Sequence, residues 1–175
     1  DRADVPRNAA RPLRYMDRYV TITQGEVFTI TEALAVLEGL ERGPAGNTSL
    51  TAAFAIAREM PEDRIVVVQE TEYTGAGKHV TAQLTFAREN GIEIRRGDPA
   101  DQVPGKNIII PSDPSMIRPK DIPLHDLKTS YLKNAMKNRP AGAPATLTEA
   151  ETAFLAAEVR ETPEGLAALL AQLKG

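Results

Sequence analysis

The spacing of apolar and polar positions changes several times along the chain, and each change marks an element. Residues 1–14, DRADVPRNAARPLR, carry no apolar period and predict an exposed segment or a loop crossing a surface. Tyr19-Val20-Thr21-Ile22-Thr23 reads as a strand closed by a Gln24-Gly25 turn. Thr31 then predicts an N-cap with Glu32 in the first turn. Ala33, Leu34, Leu37 and Leu40 give the apolar stripe of a helix that stops at Gly43-Pro44. Asn47, Thr48 and Ser49 can each cap a second helix, whose apolar face is Leu50, Phe54 and Ala57 at i, i+4, i+7. Pro61 ends that helix. Arg64-Ile65-Val66-Val67-Val68 is a β-branched run, the pattern of a strand buried on both faces. Thr74-Gly75-Ala76-Gly77-Lys78 follows it as a loop with almost no side chain.

The second half is more helical. Thr81 to Asn90 predicts a helix with Leu84, Phe86 and Ala87 apolar and Gly91 as its stop. Ile92-Glu93-Ile94 predicts a short strand near a sheet edge, and Asn107 to Ile110 another, stopped by Pro111. Ile117 to Asp121 is irregular, and Leu124 to Lys137 is an amphipathic helix. Residues 139–146, RPAGAPAT, form a Pro/Ala/Gly linker. Thr148 caps a helix over about 149–160, and Pro163 starts another that runs to Leu173. The organisation expected is an α/β domain over 1–138, a linker over 139–146 and a helical appendage over 147–175. Leu166, Leu169, Leu170 and Leu173 in that appendage require a covering surface, their own or a partner's.

Composition narrows the function. The chain has 175 residues, enough for a core, and a net charge of −3. That charge carries no basic field for nucleic acid, and no Lys/Arg run suits an anionic membrane. No apolar stretch approaches the ~18 residues of a bilayer span. No secretory signal stands at the start, so the expected location is the cytoplasm. Cysteine is absent, which excludes disulfides, thiolate nucleophiles and thiolate metal sites. With His79 and His125 as the two histidines, a histidine-based metal site is not expected.

The candidate chemistry gathers between Gly43 and His79. A helix start with free N–H groups and a glycine-rich loop after a strand both suit an anion or a flat cofactor. Gly75-Ala76-Gly77-Lys78 invites a phosphate-loop reading. A true P-loop needs G-x-x-x-x-G-K-[ST], and here Glu72 replaces the first glycine and His79 the hydroxyl that would hold magnesium. The plainer alternative is a tight two-glycine turn with Lys78 in solvent. Glu62, Glu70 and Glu72 read more simply as solvated or loop-bracing carboxylates than as an acid/base pair. A non-catalytic interaction domain, with the C-terminal helices as its binding surface, is the third possibility.

The order of motifs carries a resemblance. Glu38-Gly39-Leu40, the GPAGNTSL helix start, the IVVVQE run and the YTGAGKH loop resemble the C-terminal part of fold-type-II pyridoxal phosphate enzymes, which include threonine synthase, cysteine synthase and the tryptophan synthase beta chain. The segments DVPRNAARPLRYMDRYVTITQGEVF, EGLERGPAGNTSL, VVQETEYTGAGKH and VPGKNIIIP resemble, within that group, the beta-subunit family of 2-amino-4-oxopentanoate thiolase. The resemblance implies a three-layer α/β sheet domain, here only its C-terminal part. It implies pyridoxal 5'-phosphate, with Thr74 or the Asn47–Thr48 helix start at the ring nitrogen, Gly75 and Gly77 allowing close backbone approach, and Glu70, Asn47 and Thr48 shaping the pocket wall. It also implies coenzyme A and an amino-acid substrate, in a reaction of ornithine degradation that yields acetyl-CoA and alanine. A small alpha subunit, the N-terminal half of the enzyme and oligomeric assembly are the implied partners. The Schiff-base lysine of such enzymes lies in that N-terminal half, and Lys78 sits in the wrong segment to replace it. The chain is therefore expected to hold part of a cofactor pocket, to contain no catalytic residue of its own, and to be inactive alone.

Overall fold

Thr23 opens the first long element. Its hydroxyl accepts from the Glu26 N–H at 3.4 Å, and Glu26 Oε2 accepts from the Thr23 N–H at 2.7 Å. This reciprocal capping box starts helix α1, Gln24–Glu38, in the computed structural model, which describes residues 11–69 and 79–173. The predicted Gln24-Gly25 turn and Thr31 N-cap are thereby corrected. The helix begins a full two turns earlier, and Thr31 lies inside it, buried, with its hydroxyl donating to the Val27 carbonyl at 2.8 Å. Val27, Thr29, Ile30 and Thr31 are β-branched and weak helix formers, but the cap decides in favour of helix. Gly39, at φ 66°, ends α1, four residues before the predicted stop.

The fold is mixed α/β. The described residues hold six α-helices and two small two-stranded sheets. Strand β1 is only Val20–Thr21, shorter than predicted, and pairs with β4, Lys120–Asp121, in the stretch read as irregular. Helix α2 spans Asn47–Ala57 and α3 spans Val80–Glu89. Strands β2, Glu93–Gly97, and β3, Asn107–Pro111, pair in parallel with Ile94 opposite Ile108 and Arg96 opposite Ile110. Helices α4, Leu124–Lys137, α5, Glu149–Val159, and α6, Pro163–Gln172, follow as the periodicity predicts.

Two compact units result. One is Val20–Lys120; the other joins the described residues up to Tyr19 to the chain from Asp121 onward. In the first, Phe28, Val80, Ala87 and Ile108 form one cluster and Ile30, Ala55 and Ile117 a second. Gly25 is required where α1 meets β3: a Cβ there would stand 1.8 Å from the Ile109 carbonyl oxygen. In the second unit, Leu132 of α4 is buried with Leu155, Val159 and Leu166, and Leu169, Leu170 and Leu173 pack against them. The apolar face of α6 thus finds its cover within its own unit.

The largest departure from the sequence pattern is the run Arg64–Val68. It forms no strand, and Ile65 and Val67 are 87% and 91% exposed. A buried strand needs neighbours on both edges and both faces, and no described strand pairs with this run. Leu37 and Leu40 of the predicted α1 stripe are likewise exposed, as is Phe86 on α3. On α2 the buried positions are Asn47, Thr51 and Ala55, while Ala57 is exposed.

Candidate functional site

The start of α2 is built from the turn before it. Gly43, Pro44 and Gly46 are buried, and the Asn47 N–H donates to the Gly43 carbonyl at 3.3 Å. Gly46 is the N-cap, with no side-chain hydrogen bond to the helix. The expected caps Asn47, Thr48 and Ser49 are instead the first three helical residues. A glycine-proline turn that folds tightly under the helix takes the capping position, so these side chains are left for other partners.

Asn47 is fully buried. Its Nδ2 donates to Thr31 Oγ1 at 3.1 Å, which ties α2 to α1, and its carbonyl accepts from Thr51 Oγ1 at 2.7 Å. Asn47 Oδ1 has no hydrogen-bond partner. A buried acceptor without a donor costs about 1–3 kcal/mol, so this atom is a place where a donor from outside would be favoured. Thr48 is exposed, its hydroxyl donating to the Pro44 carbonyl at 3.5 Å. Ser49 Oγ lies 2.9 Å from the Gln69 carbonyl oxygen and donates to it.

That last bond matters for the predicted site. It anchors the residue just before the Glu70–Lys78 stretch on the first turn of α2, beside Asn47. Glu70, Thr74, Gly75 and Gly77, all expected at the cofactor, lie outside the described residues, as do Glu72, Tyr73 and Lys78. Of the six expected cofactor-binding residues, Asn47 and Thr48 are described, and they share one helix turn. His79 precedes α3 as its N-cap without a side-chain bond to the helix. No group of three or more His, Cys, Asp or Glu among the described residues could hold a metal ion. No described helix is long and apolar enough to cross a membrane.

One element of the neighbourhood escaped the sequence reading. Glu26 is 1% exposed, and while one oxygen closes the α1 capping box, Oε1 accepts from the Arg118 N–H at 2.8 Å. The spacing Thr23-x-x-Glu26 is the capping-box signature and could have been found. The long-range bond to Arg118 leaves no local trace. Glu26 also faces a cavity of about 390 Å³ beyond the carboxyl end of β2, with Asp98, Gln102, Arg118 and Lys120 around it.

Comparison with known proteins supplies the context for this geometry. Over all 175 residues the chain is 57% identical to the 2-amino-4-ketopentanoate thiolase beta subunit of Acetoanaerobium sticklandii. It is 55% identical over 173 residues to a second protein of the same name from an unknown prokaryotic organism. The chain spans 37% and 36% of the lengths of these relatives and matches their C-terminal part. No family model matches the chain, and no solved structure matches it.

Proposed function

We propose that this chain is the C-terminal part of a pyridoxal phosphate-dependent thiolase beta subunit acting on 2-amino-4-oxopentanoate, the same compound as the 2-amino-4-keto acid in the relatives' name. The observation that carries the proposal is 57% identity along the whole chain to a subunit of that name. In the complete enzyme coenzyme A takes the acetyl group, the C3–C4 bond of the substrate breaks, and C3 gains a proton to give alanine. Pyridoxal phosphate, when bound to the substrate's amino group, supplies the electron sink for that cleavage.

The described residues fit such a group at the start of α2. Asn47 is buried there, and the tie to Thr31 fixes its amide in one orientation. Thr48 and Ser49 put two hydroxyls at the exposed end of the same turn. Ser49 also holds the chain at Gln69, and so tethers the entry to the loop that carries Thr74, Gly75 and Gly77. In this assignment Thr74 is the neutral partner of the ring nitrogen, the two glycines permit close approach, and Glu70, Asn47 and Thr48 line the wall. The lysine that forms the covalent link lies in the preceding part of the subunit. A small alpha subunit completes the assembly, and the present chain alone is inactive.

The test uses the full-length beta subunit with its alpha partner, loaded with pyridoxal phosphate. Acetyl-CoA and alanine should form from 2-amino-4-oxopentanoate and coenzyme A. Thr74→Val should weaken cofactor retention, read by the visible absorbance after dialysis, and lower turnover. Unchanged retention and turnover would remove Thr74 from the site, and failure to form acetyl-CoA would remove the thiolase assignment.

A further inference from the structure

Helix α3 and strand β2 run antiparallel through the turn at residues 90–92. Along their length, together with α1 and β3, lies an open cavity of about 510 Å³, within the 300–1,000 Å³ range of small-molecule sites. Its floor is apolar: Phe28, Leu84, Ile94 and Ile110. On α3, Thr81, Leu84 and Arg88 follow at i, i+3, i+7 and share one helix face. On β2, Ile94 and Arg96 alternate onto one sheet face, across from Ile108 and Ile110. Arg88 and Arg96 therefore flank the same apolar floor. Neither has an ion-pair partner among the described residues, whereas Arg95, which also borders the cavity, pairs with Asp101 at 3.8 Å.

The antiparallel arrangement separates the two cations. Arg96 shares an end with Thr81 at the start of α3, and Arg88 sits about 10 Å further along the helix, seven residues at 1.5 Å each. Two unpaired guanidiniums over an apolar strip match a ligand with anionic groups at two places and a ring between them. Glu32 is the one carboxylate lining the cavity, and it opposes an anion there.

We infer that this cavity is a binding site for a nucleotide carrying two separate phosphate groups, with Arg88 and Arg96 each receiving one. Resting on the thiolase reading above, the ligand is the adenosine 3'-phosphate 5'-diphosphate end of coenzyme A. The site takes the distal part of the acyl acceptor, apart from the cofactor pocket at the start of α2.

The experiment titrates the full-length beta subunit, complexed with its alpha partner, with adenosine 3',5'-bisphosphate and separately with coenzyme A. Arg88→Gln and Arg96→Gln should each weaken both ligands about tenfold, the effect expected for loss of a charge-assisted hydrogen bond. Glu32→Gln should tighten both. Affinity should fall with salt. Cofactor absorbance should be unchanged in all three variants. Wild-type binding with no response to either arginine substitution overturns the site, as does absence of bisphosphate binding. Arginine-dependent bisphosphate binding by an enzyme that makes no acetyl-CoA supports the site and overturns the thiolase reading. Acetyl-CoA formation with an unchanged coenzyme A KM in both arginine variants does the reverse.

Discussion

Gly25 has no room for a side chain. A Cβ at that position would stand 1.8 Å from the Ile109 carbonyl oxygen and 2.5 Å from its carbon, and both atoms belong to the backbone of a paired strand. Relief has to come from sliding α1 along β3, which would disturb the capping box between Thr23 and Glu26 two residues away. Gly25→Ala should therefore destabilise the Val20–Lys120 unit by at least the ~1–3 kcal/mol typical of overpacking, although alanine is the better helix former. Chemical denaturation of the chain checks this: an unchanged midpoint would mean that α1 and β3 do not meet as described. At this scale the sequence was partly legible. Gly25 was read as part of a Gln24-Gly25 turn, because a Gly after a strand-like run signals a turn locally, and its real cause is an atom eighty-four residues downstream. Asn47 was expected to matter at the start of α2. Its side-chain hydrogen bond to Thr31 and its unpaired oxygen come from the packing of two helices, which no local pattern encodes.

Among the elements, those with both a cap and a period were read well. Thr148 caps α5 as predicted, with its hydroxyl accepting from the Glu151 N–H at 3.2 Å and Glu151 Oε2 accepting from the Thr148 N–H at 2.8 Å. Arg139 joins the box, its Nη2 2.9 Å from both Glu151 oxygens, and its Nη1 donates to the Pro144 carbonyl at 2.6 Å. The Pro/Ala/Gly stretch between them is thus braced by one guanidinium. The Thr148 N–H first, then Arg139, hold the Glu151 carboxyl below the usual carboxylate range. A carboxyl whose folded pKa is depressed contributes stability that is present above its unfolded pKa and is lost as pH falls through the folded one. The unit of α4, α5 and α6 should therefore lose stability in acid, below about pH 4.5. Glu151→Gln keeps a capping box but removes the charge, and should flatten that part of the dependence. Helix content against temperature, followed at several acid pH values, checks it. An identical acid slope in the Gln variant would show that Glu151 contributes nothing to it. Elements whose identity depends on distant partners were read poorly: β4 was missed, and Arg64–Val68 was expected to be a strand.

On the scale of the molecule, that run is the most informative misfit. Ile65 and Val67, with Val36 and Leu37 on α1, are apolar side chains more than three-quarters exposed, in a unit that buries Phe28, Val80 and Ile108 in one cluster and Ile30 and Ile117 in another. A β-branched run with no pairing strand has the composition of a strand and lacks only a sheet. The relatives of this chain are more than twice as long as the part it matches, so most of their polypeptide is available to provide one. The physics of an unpaired edge makes the expectation specific: adding a neighbouring strand satisfies the free N–H and C=O groups and covers the side chains in a single step. In the full-length subunit, amide hydrogens of residues 65–68 should exchange slowly, while in the present chain they should exchange at nearly the unprotected rate. Ile65→Lys with Val67→Lys should leave the stability of the present chain almost unchanged, since both positions are already in water, yet lower the melting temperature and soluble yield of the full-length subunit. Fast exchange at these residues in both proteins would mean that the run remains an exposed connection, and its β-branched composition would then require another explanation. Protection confined to the long form would show why a sequence pattern can describe the complete fold better than the structure of one part of it. The period along a strand is selected by all the surfaces it will meet, including those contributed by chain that lies elsewhere.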